Sequence, residues 1–272
     1  MRYEEQPPEP SLAAHVHCTW LFEGVEEAVE QAIPPDGRCE LIAHCRRPYE
    51  ERGDDGAWHA QPRLLFAGQL LRPLVLRSRG EVAVLGVRFT PAGAWAFAGR
   101  PLSRCTDRRV DLAELHGAPA VAALQEVLDG CADADARRDA LNAYVAAQIA
   151  LRQGRRDAGV ELCVDRMLAS EGRVSVAELG ALAGLGPRGL QRRFAEVVGI
   201  SPRALGSVVR LRRVFEALRE APLATWSERA QAAGFFDHPQ MARDFRRLLG
   251  TAPSQWRSAG PGLAASLADA DA

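Results

Sequence analysis

The spacing of apolar positions changes character along this chain. Up to about residue 110, apolar and β-branched residues come in short runs broken by glycine and proline, which predicts strands. The runs are Leu12 to Phe22, Arg38 to His44, Arg63 to Phe66, Leu74 to Arg79 and Val82 to Phe89. Pro34-Pro35-Asp36-Gly37 is a turn signal, and Ser78-Arg79-Gly80-Glu81 predicts a hairpin turn. Thr90-Pro91 is expected to cap a short helix that runs to Ala98 and closes at Gly99. Short strands with such turns suggest a small barrel or jelly-roll-like unit over residues 1–110.

From residue 111 the period becomes helical. Asp111-Leu112-Ala113-Glu114 has the spacing of a capping box, and Pro119 suits a first helical position. Asp135 to Arg152 predicts a further helix, with Leu141, Val145, Gln148 and Ile149 on one face. Residues 111–157 therefore read as a helical connector, placed to carry a dimer contact.

Residues 158–258 contain a repeat. Ala183 to Phe194 and Ala233 to Phe245 align once the second turn is allowed one extra residue. Beyond that turn the offset is 51: Arg192 matches Arg243, Phe194 matches Phe245, Gly199 matches Gly250 and Pro202 matches Pro253. A fixed offset marks a repeated supersecondary unit. Each copy predicts helix, turn, helix. Ser175-Val176-Ala177-Glu178 and Thr225-Trp226-Ser227-Glu228 are capping boxes, and Gly184 and Gly234 suit the left-handed end of a first helix. Pro187 opens the second helix of copy one; Asp237 caps that of copy two, with Gln240 three residues on. A helix from Ser207 to Arg219 spaces the copies, and Val208, Leu211, Val214, Phe215 and Leu218 are expected to dock both. The segment 259–272 lacks periodicity and reads as a disordered tail.

The two second helices are amphipathic in the same register. Leu190, Phe194, Val197 and Val198 form the apolar stripe of the first, and Met241, Phe245, Leu248 and Leu249 that of the second. Arg188, Gln191 and Arg192 remain on the outer face of one, and His238, Gln240, Arg243 and Arg247 on or near that of the other. Arginine pairs in two places with guanine, and glutamine with adenine, in the major groove. These seven side chains are the candidate DNA contacts.

Charge sharpens the division. The formal net charge is −1. Residues 159–258 hold fifteen arginines against ten acids, while the rest carries the acidic surplus. Phosphate attraction needs its cations where the duplex sits. No apolar run approaches the ~20 residues of a membrane span, and the polar, proline-rich start does not read as a signal peptide. A cytoplasmic protein without membrane contact is expected.

Other chemistry is sparse. His15, His17, Cys18, Cys39, His44 and Cys45 include metal-capable ligands, yet strand alternation puts His15 and His17 on one face and Cys18 on the other. No C-x-x-C pair occurs, so no metal or other cofactor is expected. Arginines flank Cys39, Cys45 and Cys105, which leaves a metal- or thiol-based sensor as the alternative for this half. Glu40 and Arg88 sit in otherwise apolar strands and must either pair with each other or face a cavity, structural pairing being the expectation. There is no G-x-S-x-G, H-E-x-x-H or phosphate loop, so an enzyme is not expected.

The tandem units resemble the AraC/XylS family of bacterial transcription regulators. The resemblance rests on Gly234-Phe235, Phe245-Arg246-Arg247 and Gly250-Thr251-Ala252-Pro253-Ser254-Gln255-Trp256-Arg257 and covers about a hundred residues. Pro239 stands where the family commonly has serine, and Met241 where it has a larger apolar residue. A second likeness, over Pro35-Asp36-Gly37, Glu40-Leu41-Ile42 and Leu85 to Gly93, is to a compact β domain found ahead of some such DNA-binding halves. The resemblance implies an α+β chain that binds duplex DNA through two recognition helices in successive major grooves. It further admits a small-molecule effector or dimerisation in the β half, and contact with RNA polymerase.

Overall fold

The computed structural model describes residues 1–27, 30–78, 80–220, 224–255 and 263, with backbone alone at 219, 220 and 254. Two long strands dominate the amino-terminal half, and each has a run of consecutive buried residues that must be covered on both faces. The strands are β1 (Arg2–Gln6), β2 (Val16–Glu26), β3 (Gln31–Ile33), β4 (Glu40–His44), β5 (Glu50–Arg52), β6 (Trp58–Ala60), β7 (Leu64–Ala67), β8 (Leu74–Arg77), β9 (Gly80–Phe89) and β10 (Arg109–Asp111). Six make an antiparallel sheet ordered β1-β2-β9-β4-β7-β10, and four a second sheet ordered β3-β8-β5-β6. Strand β2 pairs along β9 with Trp20 opposite Gly86. A β-carbon at Gly86 would lie 2.1 Å from the Trp20 indole, so only glycine lets that ring cross the neighbouring strand.

The α+β reading therefore holds, but the β half is two facing sheets that do not close into a barrel. One face of the larger sheet, with Trp20, Phe22, Val82 and Val84, packs with Tyr49 and Leu76. Its other face, with Leu21, Leu41, Phe66, Leu85, Val87 and Phe89, is covered by helices. Strands β8 and β9, expected to form a hairpin, belong to different sheets. Strand β9 pairs instead with β2 and β4, which sets it inside the larger sheet, where one face meets the helices and the other meets Tyr49 and Leu76. A register shift between Val16 and Cys18 also breaks the expected alternation, leaving His15 buried and His17 exposed.

The helices are α1 (Ala94–Ala98), α2 (Leu112–His116), α3 (Ala118–Gly130), α4 (Ala134–Leu151), α5 (Ala158–Ala169), α6 (Val176–Ala183), α7 (Pro187–Val197), α8 (Pro202–Glu220), α9 (Trp226–Ala232) and α10 (His238–Leu249). Helix α1 begins at Gly93 without a side-chain cap, because Thr90 turns back toward the carbonyls of Ala14 and His15. In α4, Leu141, Val145, Gln148 and Ile149 are all buried, and Asn142 accepts a hydrogen bond from Thr19 of β2 at 2.8 Å. The helices of residues 111–157 thus form a layer on the larger sheet.

That apolar core continues into the first repeat, through Val160 and Met167 of α5 to Leu190 and Phe194 of α7. A separate cluster holds the second repeat: Val208, Leu211 and Val214 of α8 with Phe235, Met241, Phe245 and Leu248. Helix α8 therefore uses two faces. The expected stripe docks the second unit, while Ala204, Leu205 and Val209 dock the first. The expected disordered tail lies outside the described residues apart from Leu263, which is buried among the residues between the two sheets.

Candidate nucleic-acid interface

Each repeat is built by local chemistry. The Ser175 amide donates to Glu178 at 2.9 Å and the Glu178 amide to the Ser175 hydroxyl at 3.2 Å. Thr225 and Glu228 repeat this exchange at 2.6 and 3.3 Å. Left-handed Gly184 and Gly234 then turn the chain. The Gln240 amide donates to the Asp237 carboxylate at 2.6 Å, which caps α10. The stripes Leu190, Phe194, Val197, Val198 and Met241, Phe245, Leu248, Leu249 are buried.

Burying those stripes turns the opposite faces outward. Arg188, Gln191 and Arg192 on α7, and His238 and Arg243 on α10, are exposed. Among the described residues none of the five makes a side-chain hydrogen bond or ion pair, so each is available to an external partner. Gln240 and Arg247 are placed differently. The Gln240 side-chain oxygen accepts the Phe236 amide at 2.9 Å and braces the turn, while Arg247 pairs with Asp244 at 3.0 Å. Arg246, which sequence reasoning passed over, is also exposed.

Arginines facing inward fasten the units. Arg193 pairs with Asp157 and with Glu196 and lies over the Trp95 ring, against which Arg155 also stacks at 3.7 Å. Arg210 of α8 donates to the Gly172 carbonyl, lies 3.6 Å from the Asp244 carboxylate and covers Phe235. Arg210 thus ties the turn that precedes the first repeat to the second repeat.

The β half contains a cavity of about 100 Å³. Trp20, Ile42 and Leu76 line it from the sheets, Tyr49 from the segment ahead of β5, Phe215 from α8, and Leu263 from the far end of the chain. Glu40 and Arg88 meet on its wall at 2.8 Å, and Arg88 also reaches Glu5 at 3.0 Å. The Arg88 guanidinium is 1% exposed, and Trp20 adds a hydrogen bond to Glu40 at 3.1 Å. Charge at this depth persists only when paired and hydrogen-bonded.

The remaining candidates are dispersed. Burial pushes the Cys18 thiol up to about 12 and the Cys39 and Cys105 thiols above their usual range, which disfavours thiolate chemistry. Burial also holds His44 down to about 4 and so neutral, with Gln61 at 3.2 Å. Among the described residues no three His, Cys, Asp or Glu side chains converge to hold a metal ion.

Residues 179–259 match a family described as a helix-turn-helix domain, and residues 4–111 a domain of unknown function, DUF6597. A probable AraC family transcriptional regulator from Rhodopseudomonas palustris CGA009 is 30% identical over 36% of this chain and 94% of its own, with a TM-score of 0.33. The chain belongs to the AraC family of transcription regulators. It is thus a DNA-binding regulator and not an enzyme. The regulator also shows a likeness to ToxT from Vibrio cholerae O395, 10% identical over 86% of this chain and 94% of that one, with a TM-score of 0.43. ToxT from strain SCE256 with an unsaturated fatty acid bound is 10% identical over 86% and 92%, also with a TM-score of 0.43. Nothing among curated proteins matches the chain. Among the described residues no helix is long and apolar enough to cross a membrane.

Proposed function

We propose that this regulator reads its operator through α7 and α10 in successive major grooves, and that a small apolar effector in the β-half cavity adjusts that reading. Arg188, Gln191, Arg192, His238 and Arg243 make the base and phosphate contacts. The observation that carries this is the shared outward register, on two helices mounted on one spacer, of side chains that have no partner among the described residues. Gln240 and Arg247 shape the recognition turn and helix, with hydrogen-bonding capacity left for the duplex.

The regulatory half of the proposal is supported by the cavity wall. Arg212, Phe215 and Glu216 of α8 share it with Tyr49 and with Trp20 and Arg88 of the larger sheet. Any molecule that fills the space presses on the helix from which both recognition units hang. Its apolar lining suits a hydrophobic body, and the Glu40–Arg88 pair supplies the polar edge.

Selection from randomised duplexes by the full chain is the test. Preferred sites should carry two contacts about one helical turn apart. Arg243→Ala should cost about 1–3 kcal/mol of specific affinity and relax one position of the site. Equal loss on specific and random DNA would make Arg243 a phosphate contact and refute its base assignment.

A further inference from the structure

The turn ahead of α10 is one residue longer than the turn ahead of α7. Between left-handed Gly184 and the α7 cap Gly186 lies Leu185 alone; between left-handed Gly234 and the α10 cap Asp237 lie Phe235 and Phe236. Leu185 is half-buried and packs on the first core, and Phe235 is buried in the second, so these two are structural counterparts. Phe236 is the added residue. It is 94% exposed, while the other eight phenylalanines are buried or half-buried.

Folding gives no reason for that ring. Among the described residues it joins none of the apolar clusters and forgoes the free energy that burial of a phenyl group provides. Yet its backbone is held firmly. The Phe236 amide donates to Gln240 at 2.9 Å, and the next residue, Asp237, caps α10. The ring is therefore carried on a braced turn at the amino-terminal end of the recognition helix, the end that meets base edges in such units. In the major groove the apolar feature available to a phenyl ring is the C5-methyl group of thymine.

We propose that Phe236 is a specificity-determining contact whose ring packs on a thymine methyl at the edge of the half-site read by α10. This rests on the reading of α10 as a recognition helix. The added residue makes the two half-contacts chemically unequal: the first repeat has no counterpart for the methyl contact.

The test uses the full chain and its selected duplex. Replacing each thymine in turn by deoxyuridine removes only the methyl group. The wild-type protein should lose about fourfold in affinity at one or two positions, the value of one buried methyl. Phe236→Ala should lose a similar factor on the thymine duplex and become indifferent to deoxyuridine there, with its unfolding midpoint unchanged. Phe236→Leu should keep part of the discrimination. If deoxyuridine costs both proteins equally at every position, the inference is overturned. It is likewise overturned if Phe236→Ala keeps full DNA affinity but alters transcription with purified polymerase, since the ring would then meet protein. Arg243→Ala separates the two levels. Should it also leave DNA affinity intact, the reading of α10 fails; should it weaken binding while Phe236→Ala does not, only the thymine contact fails.

Discussion

Trp95 tests how the β half holds the first recognition helix. The ring lies on α1, is 3% exposed, and is flanked by Arg155 at 3.7 Å and by Arg193 of α7 at 5.7 Å from its centroid. Trp95→Ala empties a buried site that ordinarily costs about 3–5 kcal/mol. Two further effects oppose each other. The two guanidinium contacts are lost, at about 0.5–1 kcal/mol for partly exposed partners. Against that, the indole N–H is buried without an acceptor among the described residues, and its removal recovers about 1–3 kcal/mol of desolvation. The net expectation is about 3 kcal/mol, a large share of the 5–15 kcal/mol of an ordinary domain. Urea unfolding of the full chain, followed by far-ultraviolet circular dichroism, measures it. Trp95→Phe keeps an apolar ring without the N–H and should cost less than half as much. Because α5 to α7 share a core with the larger sheet, α7 should loosen and affinity for the first half-site should fall. A cost below about 1 kcal/mol for Trp95→Ala, with unchanged half-site affinity, would refute this account of the junction.

Acid should destabilise the protein through buried histidines. Burial holds His44 at about 4 in the fold against about 6.5 unfolded. The unfolded chain binds the proton first, so this stability is complete above pH 6.5 and is lost as pH falls toward 4. The loss by pH 5 should be about 2 kcal/mol, and His116, also held to about 4 by burial, adds in the same direction. Chemical denaturation at pH 8 and pH 5 reads this slope, and a slope that His44→Gln does not flatten would remove His44 as its source. Leu263 is 4% exposed, and its amide donates to the buried Glu26 carboxylate at 3.2 Å. Leu263→Ala should lower stability by about 2 kcal/mol and open the cavity to an apolar dye in the folded protein. Unchanged stability and dye binding would show that Leu263 contributes nothing to that wall.

The sequence by itself determined the parts of this protein whose causes are local. Both capping boxes, the left-handed glycines and the two buried stripes follow from residues within a dozen positions of one another, so the tandem helix-turn-helix units were legible. The main strands were legible too, but not their partners. Val82 to Phe89 is apolar on both faces, and nothing in it says that it pairs with β2 and β4 while β8 joins another sheet. Tertiary contact also decided which outward side chains are available. Arg192 and Arg193 are neighbours in sequence, yet one is exposed and the other meets Asp157, brought up from 36 residues away. Gln240 looked like a base contact, but the turn takes its side-chain oxygen first. The extra residue of the second turn was visible as a shift in the repeat, whereas its identity as the exposed Phe236 required the turns in three dimensions. Leu263 is the extreme case, since its burial beside Glu26 joins positions 237 residues apart. Local propensity carries no information about contacts at that separation. They are set by which apolar surfaces remain uncovered after the local elements have formed.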